Sequence, residues 1–223
     1  MKRILVLLLA LCMMLSFASC GAKTEPAANN GSSGSGSSAS SAPDESKLHG
    51  TIDGDSYTNE YLGLRIILPA GWVFYDEDQI AMVTGLTADA FADTKIAENI
   101  DKSGQLMDAM LTNNTGCSIN LILQPQNVLL KNLSEEKVFQ SLETQLKKQF
   151  EDAGIPVKSY EVVTKQVGGQ DMTVLYMALD FGVMMDEYQV WYRTSGKYLG
   201  ILTLAVPQGT DPQPFLDCLK KLD

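Results

Sequence analysis

One histidine, four cysteines and 27 acidic side chains carry the chemistry that this 223-residue chain has to offer. His49 sits in polar sequence ahead of the first regular apolar pattern, so it is expected to lie in a tether outside any folded domain. Ser-His-Asp catalysis, Cys-His catalysis and a His-based zinc site then have no histidine to use. Without such a base, Cys117 reads as a small core hydrophobe and not as a nucleophile. Asp53-Gly54-Asp55 begins as a calcium loop would, but Tyr57 takes the third ligand position and Thr58 the glycine position. Asp76, Glu77 and Asp78 are expected to complement a helix N-terminus rather than a cation. Ser195-Gly196-Lys197-Tyr198 has the Gly-Lys pair of a phosphate loop without its other parts, and reads as a hairpin turn. No pair of carboxylates is marked out for glycoside chemistry. No catalytic residue, metal or cofactor is therefore expected.

Cys20 is different, because its surroundings specify a modification. Lys2 and Arg3 form a basic head, Ile4 to Leu15 is an almost unbroken apolar run, and small residues lead up to the cysteine. That order is the pattern of a secretory signal peptide, and the apolar run is too short for a bilayer crossing. Phe17-Ala18-Ser19-Cys20 resembles a bacterial lipobox, in which the cysteine is lipidated and becomes the mature N-terminus. The resemblance implies cleavage after Ser19 and a diacylglyceryl group on Cys20. Two acyl chains suffice for stable anchoring where one does not. The expected location is the extracytoplasmic face of the cell membrane.

Residues 20–55 contain the run NNGSSGSGSSASSAP and hardly an apolar side chain larger than Ala. Such a segment cannot bury enough surface to offset its ordering entropy, and is expected to be a disordered tether. Residues 56–223 remain, enough for one domain with its own core. Losing Lys2 and Arg3 with the leader takes the net charge from −10 to −12. Nucleic acid is thereby disfavoured as a partner, as is attraction to anionic headgroups. Cys117 and Cys218 are free to form a disulfide outside the membrane, although two buried thiols are the preferred reading.

Within the domain, YTNEYLGLRIILPAGW (57–72) reads as two short strands about a turn at Leu62-Gly63, the second stopped by Pro69 and Gly71. Residues 76–101 read as broken helix. LMDAMLTNNTGCSINLILQPQ reads as a hairpin turning at Asn113 to Gly116. The periodicity of Val138, Leu142, Leu146 and Phe150 predicts a helix over 134–152, capped by Ser134. Strands follow at 158–167, 170–180, 186–194 and 197–206, with Gly168-Gly169 and Ser195-Gly196 as turns, and then a closing helix at 211–222. Strands apolar on both faces need a layer on each side. The fold class is therefore α+β, an antiparallel sheet flanked by helices on both faces.

The YTNEYLGLRIILPAGW opening resembles the start of certain secreted lipoproteins of Gram-positive anaerobes. The order that follows it is similar to the PsbP-like (DcrB-like) α/β/α sandwich superfamily, over most of residues 57–222. The resemblance implies a binding or assembly module at the cell envelope, with no shared active site to carry over. A ligand-binding component of a transport system is the second reading, and a carboxylate-dependent hydrolase the third. The expected partner, besides the membrane held through Cys20, is a protein or a cell-wall component. Trp72 is expected to pin the turn after Gly71 to the core; the rival reading is an exposed ring that stacks on a sugar or peptide. Tyr188, Trp191 and Tyr192 on one strand, and Phe181-Gly182-Val183-Met184-Met185 at a turn, are further candidates for a binding patch, since methionine adapts to varied surfaces.

Overall fold

The computed structural model describes residues 43–92 and 95–222. The leader, Cys20 and the chain up to residue 42 lie outside the described residues. A seven-stranded sheet runs through the domain in the order β4-β5-β6-β10-β9-β8-β7, every pair antiparallel. Its strands are β4 (Trp72–Phe74), β5 (Leu106–Asn113), β6 (Ser118–Pro125), β7 (Val157–Val167), β8 (Gln170–Asp180), β9 (Met184–Tyr192) and β10 (Tyr198–Pro207). Six of these agree with the strands expected from sequence to within a few residues; β4 was not expected, since the strand before it was expected to end at Pro69 to Gly71. Glycines set the β7–β8 turn, where Gly168 and Gly169 have φ of 60° and 88°. Gly168 is fixed by space as well, since a Cβ there would lie 1.8 Å from the Leu219 carbonyl oxygen.

Three helices cover one face of this sheet. Helix α1 (Glu77–Thr84) opens with a capping box between Asp76 and Gln79, the helix-terminus role expected of the acidic cluster. Helix α2 (Ile96–Ser103) ends at left-handed Gly104. Helix α3 (Glu135–Asp152) is capped by Ser134, whose side chain accepts from Lys137 N. The four-residue period of α3 buries Val138, Leu142, Leu146 and Phe150, together with Phe139, against Leu175, Met177, Leu179 and Trp191 of the sheet. Phe139 and Trp191 meet edge to face at 5.2 Å.

The other face departs from the expected plan, because a second sheet covers it. Strands β1 (Thr51–Asp53), β2 (Ser56–Asn59), β3 (Leu64–Ile67) and β11 (Leu219–Lys221) pair in the order β1-β2-β3-β11. Tyr57, Leu64, Ile66 and Leu219 from this layer pack on Leu121, Val174, Val190 and Leu204 of the large sheet. The α+β class holds, but the closing segment 211–222 is not the helix that its apolar spacing predicts. Only α4 (Gln213–Leu216) is helical; the chain then straightens into β11. The open edge of β3 decides this, since its unpaired backbone groups need partners. Ile67 N bonds to Cys218 O at 2.9 Å, and Leu222 N bonds to Gly63 O at 2.9 Å.

The boundary between tether and domain also moves. Residues 43–55 were expected to be disordered, yet they form a 3₁₀ turn at Glu45–Lys47 followed by β1. Leu48 is 1% exposed within the helix-side core. The domain therefore includes residue 43 onward. One large aliphatic side chain and an edge strand outweigh the polar composition around them.

Candidate functional site

The β-register builds a row of side chains across the helix-facing surface of the large sheet. Thr112 on β5 lies opposite Ser118 on β6, Ser118 opposite Ala205 on β10, and Ala205 opposite Glu187 on β9. A second row beside it runs Asn120, Thr203, Gln189. Because Ser118 and Ala205 are small, the sheet surface is low here, and a pocket of about 440 Å³ stands over the first row. Tyr75, just after β4, contributes on one side. Phe181, Val183, Met184 and Met185, around the β8–β9 turn, contribute on the other. The FGVMM turn is thus a pocket wall, although Met184 and Met185 also begin β9. Val73 stands beside Thr112 in register and is exposed, as is Val183, so the mouth has apolar margins.

Glu187 is the anomaly of this site. Its side chain is fully buried, and neither carboxyl oxygen has a hydrogen-bond partner. Burial alone pushes its pKa up to about 8, so near neutral pH the group is mostly protonated. Asn120 Oδ1 and Gln189 Oε1, also buried, likewise have no partner. Buried polar groups are paired in the great majority of cases, and an unpaired one costs about 1–3 kcal/mol. An unpaired acid facing the side of the sheet that carries a pocket is the arrangement expected where a ligand supplies the missing partner. No signal in the sequence singles out Glu187; it is one acidic residue among 27 until the register shows its face.

His49 is the second finding that sequence reasoning missed. It is not in a free tether. Its Nδ1 lies 2.6 Å from Asp108 Oδ1, and its Nε2 lies 3.2 Å from Glu77 Oε1. Asp108 is also the acceptor for Gly50 N at 3.2 Å, for Asn59 Nδ2 at 2.9 Å and for the Tyr57 hydroxyl. The ring of Tyr57 leaves no room for a side chain at Gly50, where a Cβ would lie 2.2 Å from Cζ. Asp108 is positioned by the irregularity in β5, where the register with β6 shifts between Met107 and Ala109. Tyr57 and Asn59, both in the opening motif, therefore hold a buried carboxylate. The cluster is saturated with internal partners, which makes it a latch for residues 48–59.

Burial opposes the charge on His49, but the hydrogen bond and charge of Asp108, helped by Glu77, raise its pKa from 6.5 to about 9. A pKa raised in the folded state stabilises fully below the unfolded value and is lost as pH rises through the folded one. The rise corresponds to on the order of 3 kcal/mol. Urea midpoints are therefore expected to fall between about pH 6.5 and 9, and His49→Gln should flatten that slope. A slope unchanged in the variant would show that another group is responsible.

The other candidates are structural. Trp72 is buried, with its ring 5.0 Å from that of Phe215. Instead of ending a strand, it begins β4. Cys117 and Cys218 are buried free thiols; burial pushes Cys218 up to about 12. Cys117 borders the pocket while packing in the sheet-side core. Trp191 and Tyr188 are buried on opposite faces of β9. Lys197 of the Ser195–Tyr198 turn pairs with Asp101 at 2.6 Å. Asp53 and Asp55 flank the β1–β2 turn at Gly54, and among the described residues no group of three His, Cys, Asp or Glu side chains is placed to hold a metal ion. Likewise, no helix among the described residues is long and apolar enough to cross a membrane.

No protein-family model matches the sequence, and a search of curated proteins returns no match. Among solved structures, the chain is similar to the solution structure of cyanobacterial PsbP (CyanoP) from Synechocystis sp. PCC 6803. The identity is 13%, over 71% of this chain and 86% of that one, with a TM-score of 0.40. At that identity and score the likeness assigns neither family nor function.

Proposed function

We propose that this chain is a non-enzymatic ligand-binding module, held at the extracytoplasmic face of the cell membrane by a diacylglyceryl group on Cys20. The observation that carries the binding role is the pocket of about 440 Å³ above Glu187, with its apolar walls and unpartnered acid. That volume suits a small ligand. A ligand-binding component of a transport system fits it better than a docking face for a protein or cell-wall partner. Glu187 is the one carboxylate among the described residues that line the pocket, so the pair a glycosidase needs is not assembled there.

The test uses the purified full chain and N-phenyl-1-naphthylamine, a neutral probe whose fluorescence rises in apolar sites. Saturable binding is expected. Ala205→Leu, which fills the floor of the pocket, should weaken it roughly tenfold or more while thermal melts stay close to wild type. Equal binding by the two proteins, or none by wild type, overturns the reading. The anchor is tested separately. Cys20→Ser should abolish lipid labelling and release the protein from the membrane fraction, whereas retention of both label and membrane association refutes lipidation at Cys20.

A further inference from the structure

The pocket's unmet polar demand is one-sided, and this deepens the proposed binding role by naming the ligand class. Among the residues that line the pocket, the unpartnered buried side-chain atoms are Glu187 Oε1 and Oε2, both acceptors; Asn120 Oδ1 and Gln189 Oε1, in the row beside the pocket, also lack partners. They belong to adjacent positions of two rows on one sheet face, with only Ala205 and Thr203 between β6 and β9. From this arrangement we infer that the pocket binds a protonated amine carried on an apolar body, the ammonium reaching Glu187 and the body lying between the Tyr75 and Phe181 sides.

Four physical features support the assignment. A primary ammonium has three donors and no acceptor, which complements a set of acceptor oxygens. An anion would meet a carboxyl group with no cation beside it: no lysine, arginine or histidine lines the pocket among the described residues. Tyr75 and Phe181 place aromatic rings in the walls, and an aromatic face attracts a cation. The chain's net charge of −10 also favours the approach of a cation over that of an anion. When the amine binds, Glu187 gives up its proton to solvent and the ion pair replaces a buried neutral acid. The inference rests on the binding role proposed above.

The experiment compares three probes of one shape on the full chain: 2-phenylethylamine, 2-phenylethanol and phenylacetate. Each competes against N-phenyl-1-naphthylamine. The amine is expected to bind roughly tenfold or more tighter than the alcohol, as suits a hydrogen bond to a charged group. Phenylacetate should bind weakest. Glu187→Gln should erase the preference for the amine over the alcohol, and thermal melts of the variant check that it is folded. Equal affinity for amine and alcohol, or a preference that survives in Glu187→Gln, overturns the amine assignment and leaves the pocket reading standing. Failure of the naphthyl probe itself removes the pocket reading, and this inference with it. A tripeptide beginning with Phe, with its N-terminus free or acetylated, covers the other source of such a group. Binding of the free form alone supports an amine delivered by a peptide; binding of the acetylated form as tightly as the free form counts against an amine requirement.

Discussion

Asp108→Ala is expected to destabilise the domain by about 3–5 kcal/mol, the cost of removing one partner from a buried ion pair. Its loss takes an acceptor from four donors at once, His49, Gly50 N, Asn59 Nδ2 and the Tyr57 hydroxyl, of which Asn59 Nδ2 keeps Leu48 O and His49 keeps Glu77. His49 can relieve part of the cost by losing its proton, since Asp108 is what holds its charge. Asp108→Asn is the informative companion, because it keeps the shape and removes the charge. Denaturant melts near pH 6 should show a large loss in both variants, with Ala the more severe. Proteolysis should then cut first in residues 43–55, which the carboxylate ties to β5. Wild-type stability in Asp108→Ala would show that the cluster holds nothing together.

That cluster also marks where the sequence stops being readable. Helix α3 was legible because Val138, Leu142, Leu146 and Phe150 repeat at the helical period over 18 residues with a cap at Ser134. The β7–β8 and β9–β10 hairpins were legible because glycines punctuate long apolar runs. Those are local signals. By contrast, Leu48 and His49 owe their places to partners about 10 and 60 residues away, and the polar composition around them points toward disorder. The closing segment misled for a related reason. Leu216, Leu219 and Leu222 are spaced as on a helix, but the deciding partner is the edge of β3, far off in sequence. Glu187 was invisible because an acid in a strand normally faces water. Only the register with Ala205 and Ser118 shows that it does not. Phe181 to Met185 was the part of the site that could be seen, as apolar residues at a turn.

Trp72→Ala should cost about 3–5 kcal/mol, the usual range for truncating a buried aromatic side chain. In a domain of this size that lowers the melting temperature by roughly 6–20 °C. The ring fills the space between β4 and α4, packed against Phe215. Three residues later the same chain supplies Tyr75 to the pocket, with Tyr75 N bonded to Met110 O at 2.8 Å. Trp72→Ala is therefore expected to weaken naphthyl-probe binding as well, and Trp72→Phe to restore much of both properties. Thermal melts and probe titrations on the two variants measure this. A near-normal melting temperature in Trp72→Ala would remove the ring from the list of core anchors.

The pairing of β11 with β3 has a consequence for the order of events in folding. Leu219 and Lys221 lie opposite Ile66 and Leu64, so this contact closes a loop of about 150 residues, the kind of non-local pairing that slows folding. A growing chain can form the β5–β6, β7–β8, β8–β9 and β9–β10 hairpins early, because each joins neighbours in sequence. The small sheet must wait for its last strand. Until then β3 keeps an open edge, and the apolar side chains beneath it are only partly covered. That interval is when the chain is most exposed to wrong pairing and to proteases, and its length is set by how quickly residues 219–221 find β3.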